Sequence, residues 1–170
     1  GPGILLVRVP DPHVLPAHLL DAGDVADLDV VLVRAAREVV SDLQAAITAA
    51  ASSTPKGEVW VAAGSYNVSQ YTNGTLTLAD GVAVYGGFIG TETARSQRNP
   101  TVNVTILSGD VDSNDSQTPI ITDITTVTGN ATNSYHVVSG ASGATLDGFT
   151  ITAGFNNNAY PNYNGGGMIN

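Results

Sequence analysis

Cysteine is absent from the 170 residues, which excludes disulfides, thiol catalysis and Cys-ligated zinc or iron–sulfur centres. Charge is scarce too: 12% of residues are charged, and six Lys and Arg face fifteen Asp and Glu for a formal net charge of −9. The basic residues are scattered, so the chain has no electrostatic footprint for nucleic acid or an anionic membrane surface. No apolar run approaches the roughly 18 residues that a membrane span needs. The opening Gly1-Pro2-Gly3 carries neither an initiator Met nor a signal-peptide pattern. A nucleic-acid partner and a membrane span are therefore not expected.

What is present is Gly, Thr, Asn and Val. This uncharged, β-prone mixture suits repetitive extracellular sheets better than a cytosolic enzyme. Composition breaks along the chain: residues 1–47 contain no Asn and no Thr, whereas both crowd the sequence after Ser65. We read residues 1–40 as a divergent segment of separate origin, with short apolar runs at Ile4–Val9 and Val30–Val33 forming two short strands, or one strand and irregular chain. Ser41-Asp42-Leu43-Gln44 fits a capping box and predicts a helix over 42–51, its stripe Val39, Leu43, Ile47 and Ala50 facing a core. From Gly57 the period changes to two, predicting strands at 58–62, 75–78, 82–85, 102–107, 135–138 and 144–152. The stretches Asp80–Ile89 and Gly143–Ile151 resemble each other, each a strand, a Gly turn, then Phe and Ile. Short strands and turns repeated without intervening helices predict a sheet coiled on itself, a solenoid, with a β-sandwich as the alternative.

Seven segments in order carry a resemblance. They are Asp42-Leu43-Gln44-Ala45-Ala46-Ile47, Val59–Tyr66, Tyr85–Glu92, Arg95-Ser96-Gln97-Arg98, Thr105–Asp110, Ser134–Val138 and Leu146–Ile151. Together they resemble the N-terminal region of the pectin-lyase-like, right-handed parallel β-helix proteins of bacterial surfaces, including polymorphic outer-membrane-protein-like chains. The resemblance implies an all-β fold: the capped N-terminal part of a right-handed parallel β-helix over residues 41–170, with one short capping α-helix. It implies an extracellular structural or adhesive module, secreted or at the cell surface, in contact with surface glycans or polysaccharide. Gly165–Asn170 resembles the point where regular rungs begin, and an open terminal rung there is expected to self-associate or fray.

Chemistry-bearing motifs are few. Asp110, Asp112 and Asn114 stand at the alternate spacing with which a tight loop wraps a hard cation such as calcium. The sixth position is Asp115 rather than Gly and the twelfth is Ile121 rather than Glu, which refutes an EF-hand. A solvated acidic turn is the plainer reading, and calcium, if it binds, is expected at these three residues. Arg95 and Arg98 with Glu92 resemble a family loop in which a guanidinium fork pins a carboxylate. His136 stands alone in the family-like region, so no His-based triad is argued, and Trp60 is expected in the core or under the cap. Tyr160, Tyr163 and Asn156–Asn158 make a polar, aromatic loop that could touch glycans, though a flexible insertion is the plainer reading. No paired acid and base can be placed on one face, so no catalytic residue is named. The alternatives are a fragment of a polysaccharide lyase or glycoside hydrolase, which would need a carboxylate cluster with Arg or Lys on one face, and a calcium-stabilised scaffold.

Overall fold

The computed structural model describes residues 4–8, 30–34, 39–156 and 166–170. The chain forms strands β1 (Ile4–Arg8) and β2 (Val30–Arg34), then helix α1 (Val39–Ser52). Among the described residues nine short strands follow: β3 (Glu58–Ala62), β4 (Gly64–Asn67), β5 (Leu76–Thr77), β6 (Ala83–Phe88), β7 (Thr105–Ser108), β8 (Val138–Ser139), β9 (Thr145–Asp147), β10 (Phe149–Thr152) and β11 (Met168–Ile169).

From β3 onward, each strand pairs in parallel with the strand three places later. One sheet runs β2-β1-β3-β6-β9, a second β4-β7-β10 and a third β5-β8-β11. Three consecutive triplets therefore stack in register. The internal repeat read from the sequence maps onto this stacking: Ala83, Val84 and Tyr85 lie beside Thr145, Leu146 and Asp147. Asp80 meets Ser142 at the turn just before.

The all-β, right-handed parallel β-helix expected from the resemblance is corrected here. The described strands fall into three separate sheets of five, three and three strands rather than one closed or coiled sheet. The largest is mixed, because β1 pairs antiparallel with both β2 and β3. The physical reason lies in the strand lengths and the edge. Strands β5, β8 and β11 are two residues long, which leaves most of the backbone between sheets in turns. The free edge of β3 is taken by a strand from the divergent segment.

Alternation fills the interior: Val59, Val61 and Val84 from the first sheet, Tyr66 and Leu107 from the second, and Leu76 and Val138 from the third form one cluster. Burying each large aliphatic side chain contributes about 1.5–3 kcal/mol. Helix α1 lies against this cluster with Leu43, Ile47 and Ala50 fully buried and Ala46 nearly so, a spacing that puts all four on one face. Its last turn is satisfied locally. Ser53 Oγ donates to the Ala50 carbonyl at 2.8 Å, Gly57 N donates to the same oxygen at 3.0 Å, and Lys56 Nζ donates to the Ala51 carbonyl.

The expected capping box is not the role of Gln44. The helix begins at Val39, and the Gln44 side chain instead bonds the backbone of Thr77 in β5: Nε2 donates to the Thr77 carbonyl and Thr77 N donates to Oε1, each at 2.9 Å. An edge strand two residues long leaves backbone groups open, and the amide supplies a donor and an acceptor in the geometry of a neighbouring peptide. It thereby fastens the helix to the third sheet.

Candidate functional site

Three groups of polar side chains decorate the stacked triplets. The first lies on the outer face of the first sheet. Trp60 is buried and stacks on Phe88, with ring centroids 4.9 Å apart and planes 7° apart. Its Nε1 donates to Glu58 Oε2 at 3.0 Å, and Glu58 Oε1 accepts from Arg95 at 2.7 Å. Arg95 also donates to the Tyr85 hydroxyl at 3.0 Å, and the guanidinium carbons of Arg95 and Arg98 lie 4.6 and 5.0 Å from the Tyr85 ring centroid. Arg98 pairs with Asp147 at 2.9 Å and donates to the Gly86 carbonyl at 3.1 Å. These bonds tie β3 to β6 and β6 to β9.

The loop after β6 works differently from the expectation of a carboxylate held by an arginine fork. Glu92 turns back on its own loop, where Oε1 accepts from Ile89 N at 2.8 Å and Oε2 accepts from Gly90 N at 2.8 Å and Thr91 N at 3.0 Å. Partial burial would raise its carboxyl, but the converging backbone amides outweigh that and hold it below the ordinary glutamate range. The two arginines reach Glu58 and Asp147 because those carboxylates sit on the stacked strands beneath them.

The second group is the acidic loop after β7. Asp110, 6% exposed, accepts from Asn114 N at 3.1 Å through Oδ1 and from Asp115 N at 3.4 Å through Oδ2, so its carboxylate closes the turn. Asn67 Nδ2 donates to the Asp110 carbonyl, tying the loop to β4. Asp112 and Asn114 are exposed and bond one another, Asn114 Nδ2 to Asp112 Oδ2 at 2.7 Å; the same oxygen accepts from Thr132 Oγ1 at 2.8 Å. Both Asp110 carboxylate oxygens thus close the backbone turn, while the Asp112 carboxylate and the Asn114 amide pair with each other. Among the described residues no three acidic or imidazole side chains converge to hold a metal ion.

Asp115 is the residue that the sequence pattern missed. It is 7% exposed, its Oδ2 accepts from Asn133 Nδ2 at 2.8 Å, and its Oδ1 has no hydrogen-bond partner. Burial, joined by the charges of Asp110 and Asp112 and opposed by the Asn133 amide, pushes its carboxyl above the ordinary aspartate range. Asp110 and Asp115 together face a cavity of about 350 Å³ that Ser108 and Ser113 also line.

The third group is a cleft of about 420 Å³ between the first two triplets, rimmed by Ser69, Asn73, Thr132 and Tyr135. Tyr135 is 49% exposed, a large ring open to solvent among hydroxyls and amides. The cleft floor is fixed by Ser134 Oγ donating to the Gly74 carbonyl at 2.6 Å. Nearby, Thr75 Oγ1 donates to the His136 carbonyl at 2.7 Å. No family model, curated protein or solved structure matches this chain. Tyr160 and Tyr163 lie outside the described residues. The sequence signal for Tyr135 is an aromatic residue two positions before the buried pair Val137 and Val138, where alternation alone assigns it to a strand over 135–138. It stands instead on the approach to β8.

Proposed function

We propose that the chain is a structural or adhesive module of a secreted or cell-surface protein, holding carbohydrate at the Tyr135 cleft without transforming it. The observation that carries this reading is the cleft: a half-exposed aromatic ring offers an apolar face to a sugar ring, while Ser69, Asn73 and Thr132 offer rim groups able to bond its hydroxyls. The disposition of charge supports the second half of the reading. Glu58, Glu92, Asp147, Arg95 and Arg98 are committed to cross-ties and turn closure, and a lyase or hydrolase needs an acid and a base free to reach substrate. The bacterial surface setting rests on the sequence resemblance and on the Asn- and Thr-rich composition.

A glycan array of plant, bacterial and host oligosaccharides tests the reading. The expected result is binding to at least one glycan class, weakened at least tenfold by Tyr135→Ala. Binding unaffected by that substitution, or no binding across the array, refutes it.

A further inference from the structure

Hydrogen bonding and charge around the Tyr135 cleft narrow the class of glycan it accepts, a step that rests on the carbohydrate reading above. The cleft is lined by Val111 of the acidic loop and by Thr132, Asn133 and Ser134 of the segment that leads into Tyr135. These three polar residues already give hydrogens to acceptors of the protein. Thr132 Oγ1 donates to Asp112 Oδ2 at 2.8 Å, Asn133 Nδ2 donates to the buried Asp115 Oδ2 at 2.8 Å, and Ser134 Oγ donates to the Gly74 carbonyl at 2.6 Å. A hydroxyl has one hydrogen to give, so what Thr132 and Ser134 keep for a ligand is acceptor capacity. Asp112 itself is exposed, one hydrogen bond behind the rim, and a carboxylate is acceptor only.

Among the described residues no Lys or Arg lines this cleft. Lys56 bonds Ala51, Arg95 bonds Glu58 and Tyr85, and Arg98 bonds Asp147 and Gly86. Arg8 and Arg34 stand on β1 and β2 at one edge of the first sheet, and Arg37 lies outside the described residues. A uronate or sulfate group brings only acceptors and negative charge to a rim that presents acceptors backed by carboxylates. A neutral sugar brings hydroxyl donors around an apolar ring face, which match Thr132 and the Tyr135 ring.

We propose that the Tyr135 cleft takes neutral glycans and excludes acidic ones, and that Asp112 is the residue that sets this preference. Thr132 accepts from a sugar hydroxyl while Asp112 holds the threonine's own hydrogen, and the exposed Asn73 amide supplies a donor on the opposite triplet. Asp112 acts on an acidic sugar by like-charge repulsion, which suppresses the wrong partner without a clash of shape. Exposed charges are screened by salt, so this exclusion is strongest at low ionic strength.

Calorimetry of the full chain tests this with three forms of one neutral oligosaccharide bound on the array: the sugar itself, the same sugar oxidised at C6 to the uronate, and the methyl ester of that uronate. At low salt the neutral sugar and the ester should bind within about threefold of each other, and the uronate about tenfold or more weaker. Raising salt from about 20 to about 500 mM shortens the screening length from roughly 20 Å to roughly 4 Å. The gap between ester and uronate should then shrink to about threefold or less, a readout that needs no variant. Asp112→Asn should cut the ratio of neutral to uronate affinity at low salt by about threefold or more. The inference is overturned, and the carbohydrate reading kept, by a uronate bound as tightly as the neutral sugar and lost in Tyr135→Ala, or by array binding confined to acidic glycans. An ester as weak as the uronate, a gap that salt does not narrow, or an Asp112→Asn ratio equal to the parent's also overturns it. No binding of any glycan, or binding indifferent to Tyr135→Ala, overturns both.

Discussion

Replacing Leu43 by Ala isolates what fixes α1 to the sheets. Leu43 is fully buried and joins Ile47 and Ala50 in the cluster that also contains Tyr66, Val68 and Leu76. The truncation removes three carbons from a site with no path to solvent. Lost transfer energy and the residual cavity together should cost about 2–5 kcal/mol, equivalent to a fall in Tm of about 4–20 °C for a chain of this size. The neighbouring polar contact sets the comparison. Gln44→Ala loses two hydrogen bonds to Thr77, but Thr77 is exposed and water replaces them, so its cost should stay near about 1 kcal/mol. Urea denaturation followed by circular dichroism measures both. A Leu43→Ala cost below about 1 kcal/mol, or one smaller than that of Gln44→Ala, would show that the helix is held by its polar strap and that the buried stripe does little.

Two further outcomes follow from other ties. Because the folded-state carboxyl of Glu92 lies below its unfolded value of 4.5, its stabilisation is present above that pH and lost as pH falls through the lower folded value; Glu92→Gln should flatten this acid limb of the stability–pH curve, and an unchanged limb would remove the amide-nest argument. Gly86→Ala should lower the unfolding free energy by about 1–3 kcal/mol or more, since the added Cβ would lie 2.4 Å from the Gly148 carbonyl oxygen and 3.0 Å from Thr105 Cβ; a denaturation midpoint equal to the parent's would mean that the triplets are not in such close contact.

The parts of this fold legible in the sequence are those with a strong local period. The stripe Leu43, Ile47, Ala50 locates α1, and the alternation around Val59 and Val61 locates β3, because burial on one face leaves a repeating trace. The likeness of Asp80–Ile89 to Gly143–Ile151 is stacking made visible, since neighbours in a parallel pair share the same environment. Strands β4 and β11 are missed because Gly64, Ser65 and Asn67 around Tyr66, and the glycines before Met168, give no alternation to read. Strand β7 is expected three residues early: Val102 and Val104 are apolar but 73% and 38% exposed, and they belong to the turn that precedes it. A pattern of residue types cannot tell those two valines from core. The separate sheets and the antiparallel edge likewise depend on pairings between distant segments.

The candidate sites follow the same logic. The alternate spacing of Asp110, Asp112 and Asn114 draws attention to the acidic loop after β7, yet side-chain direction within a tight turn is set by its backbone bonds, and here Asp112 is exposed and Asp115 buried. Asn133 completes that arrangement from eighteen residues away, beyond any local motif. Glu92 and the arginines were legible as a pinning loop, but their partners Glu58 and Asp147 come from strands adjacent only in the folded chain.

The central claim is that this chain holds carbohydrate without turning it over. Affinity electrophoresis through gels containing the polysaccharides of each glycan class bound on the array, with reducing and unsaturated ends assayed in the same gel lanes, measures both halves at once. The account predicts retarded migration of the parent, restored mobility in Tyr135→Ala, and polymer of unchanged chain length. Release of new chain ends by the parent, or unretarded migration in every gel, would contradict it.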